Sequence, residues 1–563
     1  MNQESRTFTY QTRIELDAQG ERALDAYAQL YGRAERKLFA AFASGDSLDK
    51  LKSEFITEFG LTARQFNAIS SGIKGKIASI KERRAGLLAE AKLRQKKAAS
   101  VVKKLSAPPK QESSAEKTKR LAALHQKKRR LQMLDARLLA LQADHDAGRV
   151  RIAFGSKKLF RAQFDLEANG FASHDAWRDE WRASRSSQFM VLGSKDETAG
   201  CQGCVATLSD DGSLSLRLRL PDAASEGAVS DLGRYATIAG VRFAYGMSDV
   251  VAALNSSRRI EKTSKSGKTS QSRDGTALTY RFVRDDRGWR VMVSVAVKPK
   301  NTRRSQGLGA VGVDFNADHL ALAEMDRFGN LVDHRRIDTF LAHKDTEQRR
   351  AIMGDAVKVV VEHAVRVCKP IVIEHLDFTD KKAQLETVDP GRARTLSALA
   401  YSQFDAMLRS AAFRAGVHVQ DVNPAYTSVI GAVNTAQRRG ISVHLGAANA
   451  IARRGLGLSE RPIARQGQAT VPARHGGHVT FALPERNRAK HVWSQWSGVR
   501  RRLSAALREH YRCGAAKAAA PPLSQALRQD RTVCATGGSM VGFHHASRQQ
   551  HCSADATLTD VPF

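Results

Sequence analysis

One short stretch limits what this chain can become. Val311-Gly312-Val313-Asp314-Phe315-Asn316 is an apolar run that ends on one carboxylate and a turn-forming residue. Such a run, closed by a turn signal, reads as a strand buried on both faces. About sixty residues later the pattern recurs as Ile371-Val372-Ile373-Glu374-His375-Leu376-Asp377. Two buried strands that each deliver an acid at one end suit the holding of a hard divalent cation. A turn residue or helix cap is the plainer reading of each acid on its own.

The chain has 563 residues, enough for several domains. Ninety lysines and arginines face 57 acids, a net charge of +33. A chain so charged repels itself until it meets a polyanion, and nucleic acid is the natural one. A membrane surface is the weaker alternative, because no run approaches the ~18 apolar residues of a span. The N-terminal residues lack the apolar core of a secretion signal. Six cysteines in this length make no disulfide framework, so a reducing cytoplasm is expected.

In chain order, Phe8, Tyr10, Thr12, Ile14 and Leu16 alternate as one strand, expected to pair with strands much later. Residues 20–150 read as helical, with Leu24, Tyr27 and Tyr31 on one stripe and Leu38 and Phe42 continuing it. Residues 71–130 hold 19 lysines and arginines against 4 glutamates. Leu124, Leu131 and Leu138 repeat every seven residues, which predicts a helical hairpin turning at 106–115. A solvated helix pair is the bland alternative. The one-signed charge favours a nucleic-acid cradle that touches phosphates through Lys103, Lys104, Lys127, Lys128, Arg129 and Arg130. In 151–185, Phe154, Leu159, Phe160, Phe164, Trp177 and Trp181 are mixed with Arg151, Lys157, Lys158 and Arg161. That mixture suits base stacking, although a packed helical joint is weighed above it.

Residues 187–300 change period. Two hairpins are predicted, at 205–220 and 278–297, in a small barrel joined by the N-terminal strand. The stretch 257–275 reads as an exposed loop. Strands at 310–316, 319–325 and 331–337 follow, then helix 344–367, strand 370–374, helix 394–414, strand 417–421 and helix 443–454. Three strands followed by alternating helices and strands is the order of an RNase H-like sheet. Beyond 455 the chain reads as a Gly/Arg-rich loop, then an amphipathic helix on Val492, Trp496, Val499, Leu503 and Leu507, then a disordered tail from 513.

Gly312-Val313-Asp314, Ile373-Glu374-His375-Leu376 and Asn423-Pro424-Ala425-Tyr426-Thr427-Ser428 fall in an informative order. That order resembles the RuvC-like nuclease of TnpB (OrfB) transposon proteins and their descendants, the type V CRISPR effectors. The resemblance is strongest over 309–455 and extends loosely to the whole chain. It implies a multidomain α+β protein. Residues 1–18 would be the first strand of a β-barrel wedge domain that continues at 187–305. Residues 19–186 would form a helical recognition lobe, and 306–460 an RNase H-like (RuvC) α/β nuclease domain. The loop and helix of 461–512 and the tail 513–563 would follow. It further implies a guide RNA, a double-stranded DNA target beside a short motif, and cleavage with Mg²⁺. A place at a prokaryotic nucleoid is expected, and a monomer is weighed above a dimer, since one chain of this length could embrace a full heteroduplex. Asp314 and Glu374 match the first two catalytic, metal-binding carboxylates. Tyr426, Arg438 and Arg439 join the nucleic-acid contacts.

The chain departs from the family twice. In His444-Leu445-Gly446-Ala447-Ala448-Asn449 a histidine stands where the third acid is expected. As a ligand, His444 would favour Mn²⁺ over Mg²⁺. As a mere helix-start residue it would leave a site that binds DNA without cutting it. Asp421 and Asp405 are the substitute carboxylates. The family's zinc ribbon is also missing, since residues 427–450 contain no cysteine. Cys201-Gln202-Gly203-Cys204 is one pair and cannot close a tetrahedral site, so no zinc is expected. RNA-guided DNA cleavage leads, guided binding without cutting comes second, and an unguided transposase third.

Overall fold

A computed structural model of the chain describes residues 5–47, 50–108, 111–224, 233–263, 269–298, 307–341, 343–375, 401–473 and 476–515. These divide into two compact units, one up to residue 298 and one from residue 307.

In the first unit, β1 (Arg6–Arg13) leads to α1 (Ala18–Ala43), α2 (Lys52–Phe59), α3 (Ala63–Ser106), α4 (Ser114–Asp146), α5 (Lys157–Ala162) and α6 (His174–Ser184). β2 (Gln188–Val191), β3 (Cys204–Leu208), β4 (Leu214–Arg219), β5 (Tyr235–Val241), α7 (Met247–Asn255), β6 (Arg258–Thr263), β7 (Thr269–Asp274), β8 (Leu278–Asp285) and β9 (Gly288–Val297) complete it. As the alternation of residues 7–16 requires, β1 pairs with a distant strand. It lies antiparallel to β9, from Arg6 opposite Val297 to Arg13 opposite Arg290. Both predicted hairpins form, β3–β4 and β8–β9.

The expected barrel does not form among the described residues. The strands make two open sheets, β1-β9-β8-β2 and β3-β4-β5, plus the separate ribbon β6–β7. Closure would need the edge strands β1 and β2 to pair with the second sheet. Instead α1 covers the first sheet, and Tyr27 stacks on Phe189 at 4.1 Å, which stacks on Phe282 at 4.8 Å. The loop expected at 257–275 is the β6–β7 ribbon. Its Ser, Thr, Lys and Arg residues give no apolar face to read, and backbone pairing holds it.

The helical hairpin is α3 and α4. At 44 residues, α3 is ~66 Å long. Both helices open with a capping box, Thr62 with Gln65 and Ser113 with Glu116. Two arginines staple the pair. At the turn, Arg120 grips Glu112 with two nitrogens, at 2.7 and 3.0 Å, and donates to the carbonyl of Leu105 at the end of α3. At the base, buried Arg84 donates to the carbonyls of Asp144 and Arg149 around the end of α4. A cation at a helix C-terminus answers both its unpaired carbonyls and its dipole. Leu134 is the buried centre of the leucine seam, and Leu124, Leu131 and Leu138 are half-buried.

In the second unit, β10 (Ala310–Phe315), β11 (His319–Met325) and β12 (Leu331–Asp338) form an antiparallel meander. After α8 (Thr346–Arg366), β13 (Ile371–Glu374) pairs parallel to β10. After α9 (Tyr401–Ala415), β14 (Val419–Val422) pairs parallel to β13. The sheet order is β12-β11-β10-β13-β14. Residues 394–400 of the helix expected at 394–414 lie outside the described residues.

Val311, Val313, Ile371 and Ile373 pack against α8 and α9 on one face. The other face is built from small residues, Gly312, Ala321 and Ala323, and receives α11 (Val443–Gly455). Between β14 and α11 lie α10 (Thr427–Ile430) and a π-helical stretch, Gly431–Ala436. The loop expected beyond 455 contains a hairpin, β15 (Gln468–Pro472) and β16 (His478–Ala482). Of its apolar residues, Ala469, Val471 and Phe481 close on Trp496, Val499 and Leu503 of α12 (Val492–Ala515), and Val479 is buried as well. The tail beyond 515 lies outside the described residues.

Gly312 controls the close approach of α11. A Cβ there would stand 2.1 Å from the carbonyl oxygen of Ala448 and 2.8 Å from the Cβ of Ala452. Gly312→Ala is therefore expected to cost ~2 kcal/mol or more by overpacking. Gly86→Ala, in open space on α3, is expected to stabilise by ~0.5–1 kcal/mol. Urea unfolding of the two variants checks both, and equal midpoints would refute the contrast.

Candidate functional site

The parallel pairing of β10 and β13 aligns Val311 with Ile371, Gly312 with Val372 and Val313 with Ile373. One step further, Asp314 and Glu374 reach the same level. Neighbouring strands lie ~4.8 Å apart, and side chains alternate between faces. Both carboxylates therefore share the face of Gly312 and Val372, under α11. Asp314 is 9% exposed and Glu374 half-buried.

The start of α11 brings the third residue. His444, Ala448 and Ala452 are spaced by four and lie along one helix face. Ala448 and Ala452 rest on Gly312, so His444 falls over Asp314. Its Nδ1 lies 3.6 Å from Oδ2 of Asp314. The ring of His319, on the same sheet face, meets the His444 ring edge-on at 4.9 Å. His319 in turn contacts Asp318 through Nδ1 at 2.8 Å. Asn316 donates to Oδ2 of Asp314 at 3.1 Å.

Two side chains hold Glu374, and a third fixes one of them. The Thr427 hydroxyl donates to its Oε1, and Tyr401 donates to its backbone carbonyl at 2.7 Å. Arg454 donates to the carbonyls of Asn423 and Ala425, fixing the turn that carries Thr427. Burial lowers the Arg454 pKa, and the charges of Glu374 and Glu460 oppose the shift. Tyr426 adopts a left-handed conformation, φ 65°, immediately before α10. The π-helical stretch then crosses α11 where Gly431 meets Gly446, backbone against backbone. π-Bulges of this kind concentrate at functional sites.

The substitute carboxylates do not join. Asp421 pairs with Ile373 across the strands and so faces away from Glu374. Arg409 binds it at 2.5 Å and binds Asp405 at 2.8 Å. Among the nucleic-acid candidates, Lys103, Lys104, Lys128, Arg129, Lys157, Lys158, Arg438 and Arg439 are exposed, and Lys127, Arg130 and Tyr426 are half-buried. Cys201 and Cys204 are both buried, and burial raises the Cys201 thiol to about 12, so the pair is inert.

Thr427, Tyr401, Arg454 and His319 were not singled out by role. Thr427 stands inside the motif quoted above, but its pairing with Glu374 spans 53 positions. A second cluster was not anticipated at all. Ligand atoms of Glu324, Asp333 and His363 lie within 4.8 Å of one another, close enough for a metal ion. Cations already occupy part of this group. Glu324 accepts from Lys369 and meets Nε2 of His363 at 3.1 Å, while Arg366 meets Nδ1 of His363 at 2.8 Å. No helix among the described residues is long and apolar enough to cross a membrane. Comparison with protein families and with curated proteins finds no match for this chain.

The His363 bond, with Lys369 beside it, holds Glu324 below its ordinary 4.5 against the opposing effect of burial. A depressed carboxylate contributes stability above its unfolded pKa and loses it as pH falls through the folded one. The stability gap between wild type and Glu324→Gln is therefore expected to be full at pH 7 and to shrink below about 4.5. Thermal melts across that range check this, and a gap constant with pH would refute it.

Proposed function

We propose that this chain is an RNA-guided double-stranded DNA-binding protein with a RuvC-type DNA-cutting site, related in design to TnpB and type V effectors. The observation that carries the reading is the convergence of Asp314, Glu374 and His444 at one sheet edge. The sheet order and the parallel β13 and β14 support an RNase H-like frame for it. The basic hairpin supports a polyanionic partner. Asp314, Glu374 and His444 would hold the divalent ion. When bound, that ion would polarise a phosphodiester and acidify a water. Asp314 and Glu374 supply the charge that attracts it, Thr427 fixes the Glu374 carboxylate, and Asn316 fixes that of Asp314. Phosphate contacts by the exposed lysines and arginines would position the duplex, while RNA–DNA pairing would supply sequence.

One observation favours a second reading, guided binding without cutting. The imidazole of His444 takes the third place, while Asp405 and Asp421 are engaged by Arg409. Two carboxylates suit metal binding better than fast hydrolysis.

The deciding experiment begins with sequencing of RNA that co-purifies with the protein. One abundant structured RNA ending in a variable segment is expected, and random cellular RNA would overturn the guided reading. With that RNA, Asp314→Ala is expected to abolish cutting and keep DNA binding, and His444→Asp to raise cutting in Mg²⁺. Equal cutting by wild type and Asp314→Ala would remove the site from the reaction. Changing Lys127, Lys128, Arg129 and Arg130 together to Ala is expected to weaken nucleic-acid binding. The slope of log affinity against log salt should fall by roughly 2 to 4. An unchanged slope would mark that face as merely solvated.

A further inference from the structure

The aromatic cluster of 157–185 divides into two parts with different physical jobs. Trp177 is 5% exposed, and its indole donates to the carbonyl of Leu159 at 2.8 Å. That contact joins α5 to α6 and accounts for the joint. Trp181 lies half-buried 6.2 Å from Trp177, stacked on it, and Arg185 sits 5.0 Å over its ring. Phe160 meets Trp181 at 5.6 Å and is 44% exposed. Phe164 meets Phe160 edge-on at 6.4 Å and is 78% exposed. The rings thus run from the joint out into solvent, and the last one adds almost nothing to packing.

Charge surrounds the exposed end. Lys157, Lys158 and Arg161 are exposed on the same short helix and line a shallow depression of about 350 Å³ with Ala162 and Asn169. Asp165 and Glu167 follow in the chain, and Asp165 accepts from the backbone of Ala168. On α6 the acids Asp175 and Asp179 are paired with Arg178 and Arg182. The helix α5 itself, KKLFRA, carries no acid.

We infer that Phe164 and Phe160, rimmed by Lys157, Lys158 and Arg161, form a stacking site for unpaired bases of a single-stranded nucleic acid. An exposed ring face offers a sequence-tolerant platform for a base, and a neighbouring cation group holds its phosphate. A paired base cannot use the platform, because its faces are already stacked. The site belongs to the first unit, whereas Asp314, Glu374 and His444 belong to the second, and it requires only that the first unit meet a single strand. It goes beyond the cutting reading and survives that reading's failure.

The test uses the full chain carrying Asp314→Ala, so that no probe is cut. Fluorescent oligothymidylate and oligouridylate of about ten nucleotides and a duplex of equal length are titrated by polarisation. Phe164→Ala is expected to weaken both single strands by roughly 5- to 100-fold and leave the duplex unchanged. Its salt slope should stay constant, because phenylalanine releases no counter-ions. Phe164→Trp should restore binding, with its emission quenched on saturation. Changing Lys157, Lys158 and Arg161 together to Ala should lower the single-strand slope by about 2. Unchanged single-strand affinity in Phe164→Ala, or equal weakening for duplex and single strand, would overturn the inference. So would a dimer, seen by sedimentation, that Phe164→Ala converts to monomer without altering oligonucleotide binding.

Discussion

The candidate site depends on one steric fact, the seating of helix 443–455 directly on strand 310–315. Gly312 offers no Cβ, so the helix backbone at Ala448 descends onto the strand. That seating sets the height of the whole helix. One turn before Ala448, it puts His444 over Asp314. At Gly446 the same helix meets Gly431 backbone to backbone, and this fixes the segment that carries Thr427. Thr427 then holds Glu374. Three of the four groups at the site are therefore aligned by glycines that carry no chemistry themselves. Packed interiors transmit such displacements because they have no slack.

The excess positive charge serves two ends. Arg84, Arg120, Arg409, Arg454 and Lys369 are held by carbonyls or carboxylates of the fold. Four of these five are arginines, whose planar fork can satisfy two acceptors at once. Lys103, Lys104, Lys128 and Arg129 lie exposed on the stapled hairpin. The staples matter for that second group. A long helix pair that frayed would spread its charge. Fastened at the turn by Arg120 and at the base by Arg84, it keeps like charges along a rigid rod.

What the sequence revealed follows from range. Period and caps are local, so the strands around Asp314 and Glu374, the leucine seam and the stripe of helix 18–43 were legible. Convergence of His444 with Asp314 required a resemblance, since 130 positions separate them. The ribbon 258–274 was hidden because strands with no apolar face leave no alternation to count. The hairpin 468–482 was hidden because two apolar residues per strand fall below the length at which a period shows. The expected barrel failed for a related reason. Strand content can be read from alternation, but edge pairing cannot, and helix 18–43 covers a sheet that closure would otherwise have hidden. The group of Glu324, His363 and Lys369 joins residues 39 and 45 positions apart, each unremarkable in its own segment.

On the proposed reading, the third position decides how much chemistry the site can do. If two divalent ions act together, as in two-metal phosphodiester hydrolysis, they would bring four positive charges, against two from Asp314 and Glu374 and one from a phosphodiester. A neutral imidazole adds a lone pair but no charge. Asp421 has the needed charge, yet strand alternation turns it to the opposite face and Arg409 neutralises it. A one-residue shift in register would be needed to bring it across, and that would move Val422 and Gln420 as well. The sheet thus forbids the simplest repair, and the missing charge can be restored only from the helix, at position 444 itself. On that reading, the geometry that brings His444 to Asp314 would make that single residue the control point between holding a DNA strand and cutting it.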